Sequence, residues 1–343
     1  MKNMSQFPLV SLCITTYNQQ QYVRESVKSA FAQTYSPLEI VIADDCSTDA
    51  TGDIIQHMVD SYIVTGKHAV KFIRNDINIG LARNYEQAFR MASGDLLVTG
   101  AGDDISFPDR ISEIVRRWQA DGSSATAFSH AAETIDKNGV PGGLMAAPSF
   151  ERPVGAMMGY SKRVVSEFTS LNNGEVFEDD VFSHRAMILG RGLIINKPLM
   201  YYRVGSGEST KGAPHARRKR VSRICINSIG QTWGDLKAKR TSLKASKYDE
   251  LRKKFRFYDF FYRSEYRMYS GNFKHRIRWY FFHNKIKTSD ASFYHFLLWI
   301  IPDALFLPFR SAKRIVVKQS SAIGKFFRFG ALRLKRKIRN GRE

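Results

Sequence analysis

The chain has 343 residues, 43% hydrophobic and 25% charged, which is ample for a real core, and a net charge of +21 that is unevenly placed. Residues 211–343 hold 34 of the 53 Lys and Arg but only 8 of the 32 Asp and Glu, so 1–210 is mildly acidic and a boundary falls near Gly205–Pro214. Cys13, Cys46 and Cys225 are too scattered for a disulfide framework or zinc site, there is no signal-peptide pattern at the start, and no run reaches the 18 or so apolar residues of a bilayer span.

The elements alternate from the start. "PLVSLCITT" (8–16) is a short apolar run with β-branched residues and reads as a buried strand. Val23, Val27, Ala30 and Phe31 form a helical stripe, "LEIVIA" (38–43) a second strand, and Ile54, Ile55 and Met58 a second helix capped by Ser47 or Thr48. "VKFIR" (70–74), a helix from Leu81 to Met91, "LLVTG" (96–100) and a helix after Pro108 continue the series. Such repetition predicts an α/β fold, a mainly parallel sheet covered on both faces, with ligands beyond the carboxyl ends of its strands. Polar residues gather at those ends: Thr15 to Asn18, Asp44 and Asp45, Asn75 to Asn78, and Asp103 and Asp104. No glycine-rich phosphate loop follows the first strand.

Asp103 and Asp104 stand side by side after an apolar strand and a glycine. One could cap the helix beyond Pro108, for about 1 kcal/mol. Two repel each other, and a hard divalent cation, Mg²⁺ or Mn²⁺, would take their oxygens together with those of a diphosphate. Downstream, "EDD" (178–180) is a cluster whose members raise one another's proton affinity, which suits a general base. The same residues could instead cap the helix running to Met187.

Several motifs, in order over about Pro8 to Ser209, resemble those of family 2 glycosyltransferases, inverting enzymes of the GT-A fold. They are "VSLCITTYNQQQYVRESVKSAFAQTY", "EIVIADDCSTDAT", the segment Asn78 to Leu97, "GDDISFPDRI", "FEDDVFSHRAMILGRG" with Arg185 six residues after Asp179, and "YYRVGSGES". The resemblance implies a GT-A domain over 1–210, with a nucleotide-sugar half (1–107) and an acceptor half (108–210). It implies that Thr15, Tyr17, Asp44 and Asp45 cradle the nucleoside, Arg83 sits beside the nucleotide, and Asp103 takes the metal, with Asp104 beside it. Asp179 is then the base, with Glu178 the alternative. Cys46 stands where the family usually has Gly, Ala101 replaces the first Asp of the metal motif, and Gly205 replaces a His after Tyr-Arg-Val, leaving Arg203 or Ser206 for the departing diphosphate.

The expected reaction moves a sugar from a nucleotide-sugar, a UDP-sugar foremost, to a hydroxyl of a glycan or lipid-linked acceptor in surface polysaccharide assembly. The competing reading is a non-catalytic nucleotide-sugar or polyanion binder that kept the fold. Residues 211–343 interleave aromatic residues with Lys and Arg, as in "RKKFRFYDFFYR" and "GKFFRFGALRLKRKIR". That predicts a helical region lying on an anionic membrane surface, at the inner face of the cell membrane, in preference to nucleic acid or a packed appendage.

Overall fold

The computed structural model describes residues 7–64, 66–172, 174–205 and 214–270. The readings of Ser206 and of the basic segment 324–342 concern residues outside these. A compact unit runs to Arg263, beyond the boundary that the charge shift suggests near 210.

Strands β1 (Val10–Thr16), β2 (Leu38–Asp44), β3 (Ala69–Arg74) and β4 (Leu96–Ala101) pair in parallel, in the order β3-β2-β1-β4. Helices α1 (Val23–Phe31), α2 (Thr51–Ile63) and α3 (Leu81–Met91) link them. Side chains alternate between the faces of a strand. In β1 and β2, Val10, Leu12, Ile14, Ile40 and Ile42 pack on α1, α2 and α4 (Arg110–Ala120), while Cys13, Val41 and Ala43 face Tyr85, Ala88 and Phe89 of α3. Each fully buried Leu, Ile or Phe contributes about 1.5–3 kcal/mol. Both faces are therefore apolar, and the strands read as continuous runs.

The sheet then changes sense. After the two-residue β5 (Ile105–Ser106) and α4 come β6 (Ala127–Ile135), β7 (Pro141–Met145) and β8 (Met158–Ser161). Strand β8 runs antiparallel between β4 and β6, and the long β9 (Gly192–Arg203) lies parallel to β6 and antiparallel to β5. The sheet is mixed rather than wholly parallel, and it brings the end of β9 back to the end of β4. Met157 and Met158 are fully buried, in keeping with a core role. Short α5 (Arg163–Ser166) precedes α6 (Glu178–Leu189), which backs the α3 side of the sheet. Ser47 does not cap α2; its hydroxyl bonds Asp44, and the Asp49 carboxylate accepts the Thr51 amide at 2.9 Å.

Helices α7 (Pro214–Ala238) and α8 (Ala245–Ser270) complete the described chain. Ile229 and Leu236 of α7 and Leu251 and Phe255 of α8 share an apolar cluster with Ile188 of α6. Among the described residues no helix is long and apolar enough to cross a membrane.

Candidate active site

On the nucleotide side, Asp44 is fully buried and already occupied. One carboxylate oxygen accepts the Thr16 and Ser47 hydroxyls at 2.8 and 2.5 Å, the other the Ser47 amide at 3.0 Å. It holds the turn after β2. Asp45 accepts Asn75 Nδ2 (3.0 Å) and the Ile79 and Gly80 amides (both 2.8 Å), tying the ends of β2 and β3 to the start of α3. Asn84 continues this network, accepting from Asn75 and donating to the Ala43 carbonyl at 2.8 Å. The Thr15 hydroxyl is turned inward onto the Tyr85 hydroxyl, and Tyr17 stands half exposed at the crevice rim. Arg83 lies on α3 and lines a cleft with Glu86, Gln87, Arg90 and Leu171.

Cys46 has φ +59°, in the left-handed region where a side chain costs about 1 kcal/mol that glycine avoids. Its thiol donates weakly to the Asp76 carbonyl at 3.4 Å. Cys46→Gly should therefore raise the urea midpoint by the equivalent of about 0.5–1 kcal/mol; an unchanged or lowered midpoint would mean that the thiol contact outweighs the backbone strain.

The second side is acidic. Asp103 and Asp104 are both buried at the β4 end. Burial first, and then the Asp103 charge, push the Asp104 carboxyl well above its usual range. Asp104 accepts the Arg203 amide at 2.8 Å and has the fully buried Arg110 as a nearby positive charge. Arg110 donates to His130 Nε2 (3.0 Å), the Ser106 hydroxyl (3.0 Å) and the carbonyls of Thr99 (2.7 Å) and Ala156 (2.9 Å), and desolvation lowers its pKa to about 10. It did not emerge as a site residue from sequence. The available signal was a cation in the first turn of a helix, where the macrodipole disfavours it.

Arg203 is buried at the end of β9. Its guanidinium donates to the carbonyls of Asp103 (2.9 Å) and Asp136 (3.0 Å) and to Glu25 (2.8 Å), and lies 4.5 Å from the Tyr22 ring centre. It staples β9 to the β4 end and to α1.

Glu178 and Asp179 of α6 lie against Gly155. Asp179 is the least buried of the three, and desolvation still raises its pKa to about 6, against hydrogen bonds from the amides of Asp180 and Gly155. Glu178 and Asp180 are held well above the usual range by burial and by the Asp179 charge. Gly155 matters here through close approach: a Cβ at that position would sit 2.9 Å from Glu178 Oε1. Its segment is fixed by Thr99, whose hydroxyl lies 2.5 Å from the Gly155 carbonyl, and by Arg110 through Ala156. Tyr202 joins the two sides. Burial, together with the charges of Asp104, Asp103 and Asp179, raises its pKa to about 12.

Among the described residues no group of three or more His, Cys, Asp or Glu is placed to hold an ion alone. The oxygen donors of Asp103 and Asp104 fit a hard cation that takes one or two carboxylates and completes its shell with substrate phosphate and water, as Mg²⁺ commonly does.

Residues 11–173 match the model of Glycosyl transferase family 2. EpsE of Bacillus subtilis is 31% identical over 131 residues, 36% of this chain and 46% of that protein, so the chain spans about half of this relative's length. The UDP-Glc:alpha-D-GlcNAc-diphosphoundecaprenol beta-1,3-glucosyltransferase WfaP of Escherichia coli is 29% identical over 208 residues, 58% of this chain and 78% of that one. Among solved structures, S. aureus TarS 1–349 with UDP-GlcNAc superposes with a TM-score of 0.57 at 17% identity, covering 79% of this chain and 78% of that chain. The mannosyltransferase PcManGT of Pyrobaculum calidifontis, with GDP-Man and Mn²⁺, gives 0.54 at 17%, covering 90% and 84%. Residues 11–173 thus resemble glycosyl transferase family 2, and the fold is of the GT-A kind.

Proposed function

We propose that the chain is a metal-dependent, inverting glycosyltransferase that moves a sugar from a nucleotide-sugar, a UDP-sugar foremost, to a hydroxyl of a glycan or lipid-linked glycan. The observation that carries this reading is the nearness of Asp103 and Asp104 at the β4 end to Asp179 of α6, the charges of all three felt by Tyr202. Thr15, Tyr17 and Asp45 at the ends of β1 and β2, and Arg83 of α3, would meet the nucleotide. Asp179 takes the proton of the acceptor hydroxyl; the oxygen attacks the anomeric carbon from the face opposite the leaving group, and the bond from that carbon to the diphosphate breaks. Asp103 would hold a divalent cation, which neutralises diphosphate charge when bound. The Mn²⁺ named for PcManGT supports the cation, and the diphosphoundecaprenol acceptor named for WfaP supports a lipid-linked glycan.

Asp103→Asn should abolish turnover and most of the metal-dependent part of UDP binding. Asp104→Asn should do less damage, because burial already disfavours its charge. Calorimetry with UDP, with and without Mn²⁺, reads both. Equal, metal-independent affinity in wild type and Asp103→Asn would refute the assignment. A mere binder, the alternative raised by Ala101, would release no UDP from any nucleotide-sugar.

A further inference from the structure

Helix α8 has two different faces. Inward, Leu251 and Phe255 are buried with Ile188, Ile229 and Leu236, and Tyr258 stacks on His184 of α6 with ring centres 5.8 Å apart. Outward, Arg252, Lys253, Arg256, Phe257, Phe260 and Arg263 are all exposed, and their spacing puts them along one side of the helix. Phe257 is 55% and Phe260 45% exposed. Such aromatic surface is costly to leave in water, and scattered single residues would need no explanation. These two lie three apart, flanked by four cations. The acids of α8 are Asp249 and Glu250 near its start, Glu265 near its end, and Asp259, which pairs with Arg263 at 2.7 Å.

We propose that this face of α8 rests on an anionic bilayer surface, with Phe257 and Phe260 entering the headgroup boundary and Arg252, Lys253 and Arg256 meeting lipid phosphates. Charge complementarity selects this occupant. A second copy docking through the same face would set cations against cations, since a twofold contact is self-complementary. A basic helix with an aromatic strip fits the interfacial region, where rings enter the acyl boundary and cations stay with the headgroups. The proposal deepens the transferase reading, since a lipid-linked acceptor presents its glycan at that surface, but the binding itself does not depend on the reaction.

The test is flotation of the full-length chain with vesicles of phosphatidylcholine alone or with one quarter phosphatidylglycerol, over a range of salt. Wild type should float with the anionic vesicles, less so as salt rises. The Arg252→Glu/Lys253→Glu/Arg256→Glu variant should bind them about tenfold or more weakly. Phe257→Ser/Phe260→Ser should lose the part of binding that survives high salt. All five substituted side chains are exposed, so circular dichroism should be unchanged. UDP affinity is measured on the same variants, so a failed membrane site and a failed transferase reading give separable results. Unchanged flotation of both variants, or no preference of wild type for anionic vesicles, would overturn the proposal. So would a dimer of the wild type that the variants dissociate, or loss of oligonucleotide binding in variants that still float.

Discussion

Replacing Asp179 by Asn should lower turnover about 10²- to 10⁴-fold while leaving UDP affinity within a few-fold. The carboxylate stands on α6 and not at the β4 end, so its removal takes away the proposed proton acceptor and leaves Asp103 and Asp104 in place. Its pKa, raised to about 6 by burial, makes it a stronger base than an exposed Asp while keeping it ionised at neutral pH. Wild-type activity should therefore fall as the pH drops through about 6 and Asp179 takes up a proton. Glu178 and Asp180 share the titration, so that midpoint belongs to the cluster. The same burial disfavours the ionised form in the folded protein, so the cluster costs stability at neutral pH and returns it as the carboxyls protonate in acid. Steady-state kinetics from pH 5 to 8 read the profile. A dead Glu178→Gln beside an active Asp179→Asn would move the role to Glu178.

Asp235→Ala should destabilise the fold by about 3–5 kcal/mol, measured by urea unfolding, because it strands a buried charge. Arg185 is fully buried, and its Nε donates to Asp235 at 2.7 Å across the α6–α7 contact. The other donors of Arg185 go to the carbonyls of Val164 and Thr169, and no second carboxylate appears among its bonds in the described residues. Replacing both partners with apolar residues, as in Arg185→Met/Asp235→Leu, should recover most of the loss. If Asp235→Ala costs under 1 kcal/mol, the guanidinium has found water or another partner.

These arginines show where sequence reading stopped. Strands β1 to β4 and helices α1 and α3 were legible because their apolar period is local, and the helix from Leu81 to Met91 falls on its expected residues. Strand β8 was not legible, because its four residues take their place from antiparallel pairing with β4, some sixty residues away in sequence. Convergence of the carboxylates at the strand ends followed from chain order and sheet topology. The partners of Arg110, Arg185 and Arg203 did not. Sequence suggests that an arginine beside a motif serves a ligand, but burial of a guanidinium demands several acceptors, and these come from distant segments. Net charge, likewise, reports the surface of a region and is silent about its interior. Residues beyond 210 are strongly basic outside, yet Ile229, Leu236, Leu251 and Phe255 pack with α6.

The grip of α7 on the start of α6 bears on how such proteins diversify. The family match ends at residue 173, and α6 begins at Glu178. The intervening loop is held from α7: Ser228 Oγ accepts the Phe177 amide at 2.9 Å, Gln231 Oε1 the Asn172 amide at 2.9 Å, and Arg220 and Arg223 both pair with Glu175 at 2.8 Å. A crossover between relatives placed at 173 and again at 210 would deliver a proton acceptor without the helix that aims it. One that carries 174 through 263 moves loop, base helix and brace together as an inheritable cassette. New acceptor preferences would then be acquired as whole blocks grafted onto an unaltered sugar-nucleotide half, and hybrids cut within the block should be born misfolded.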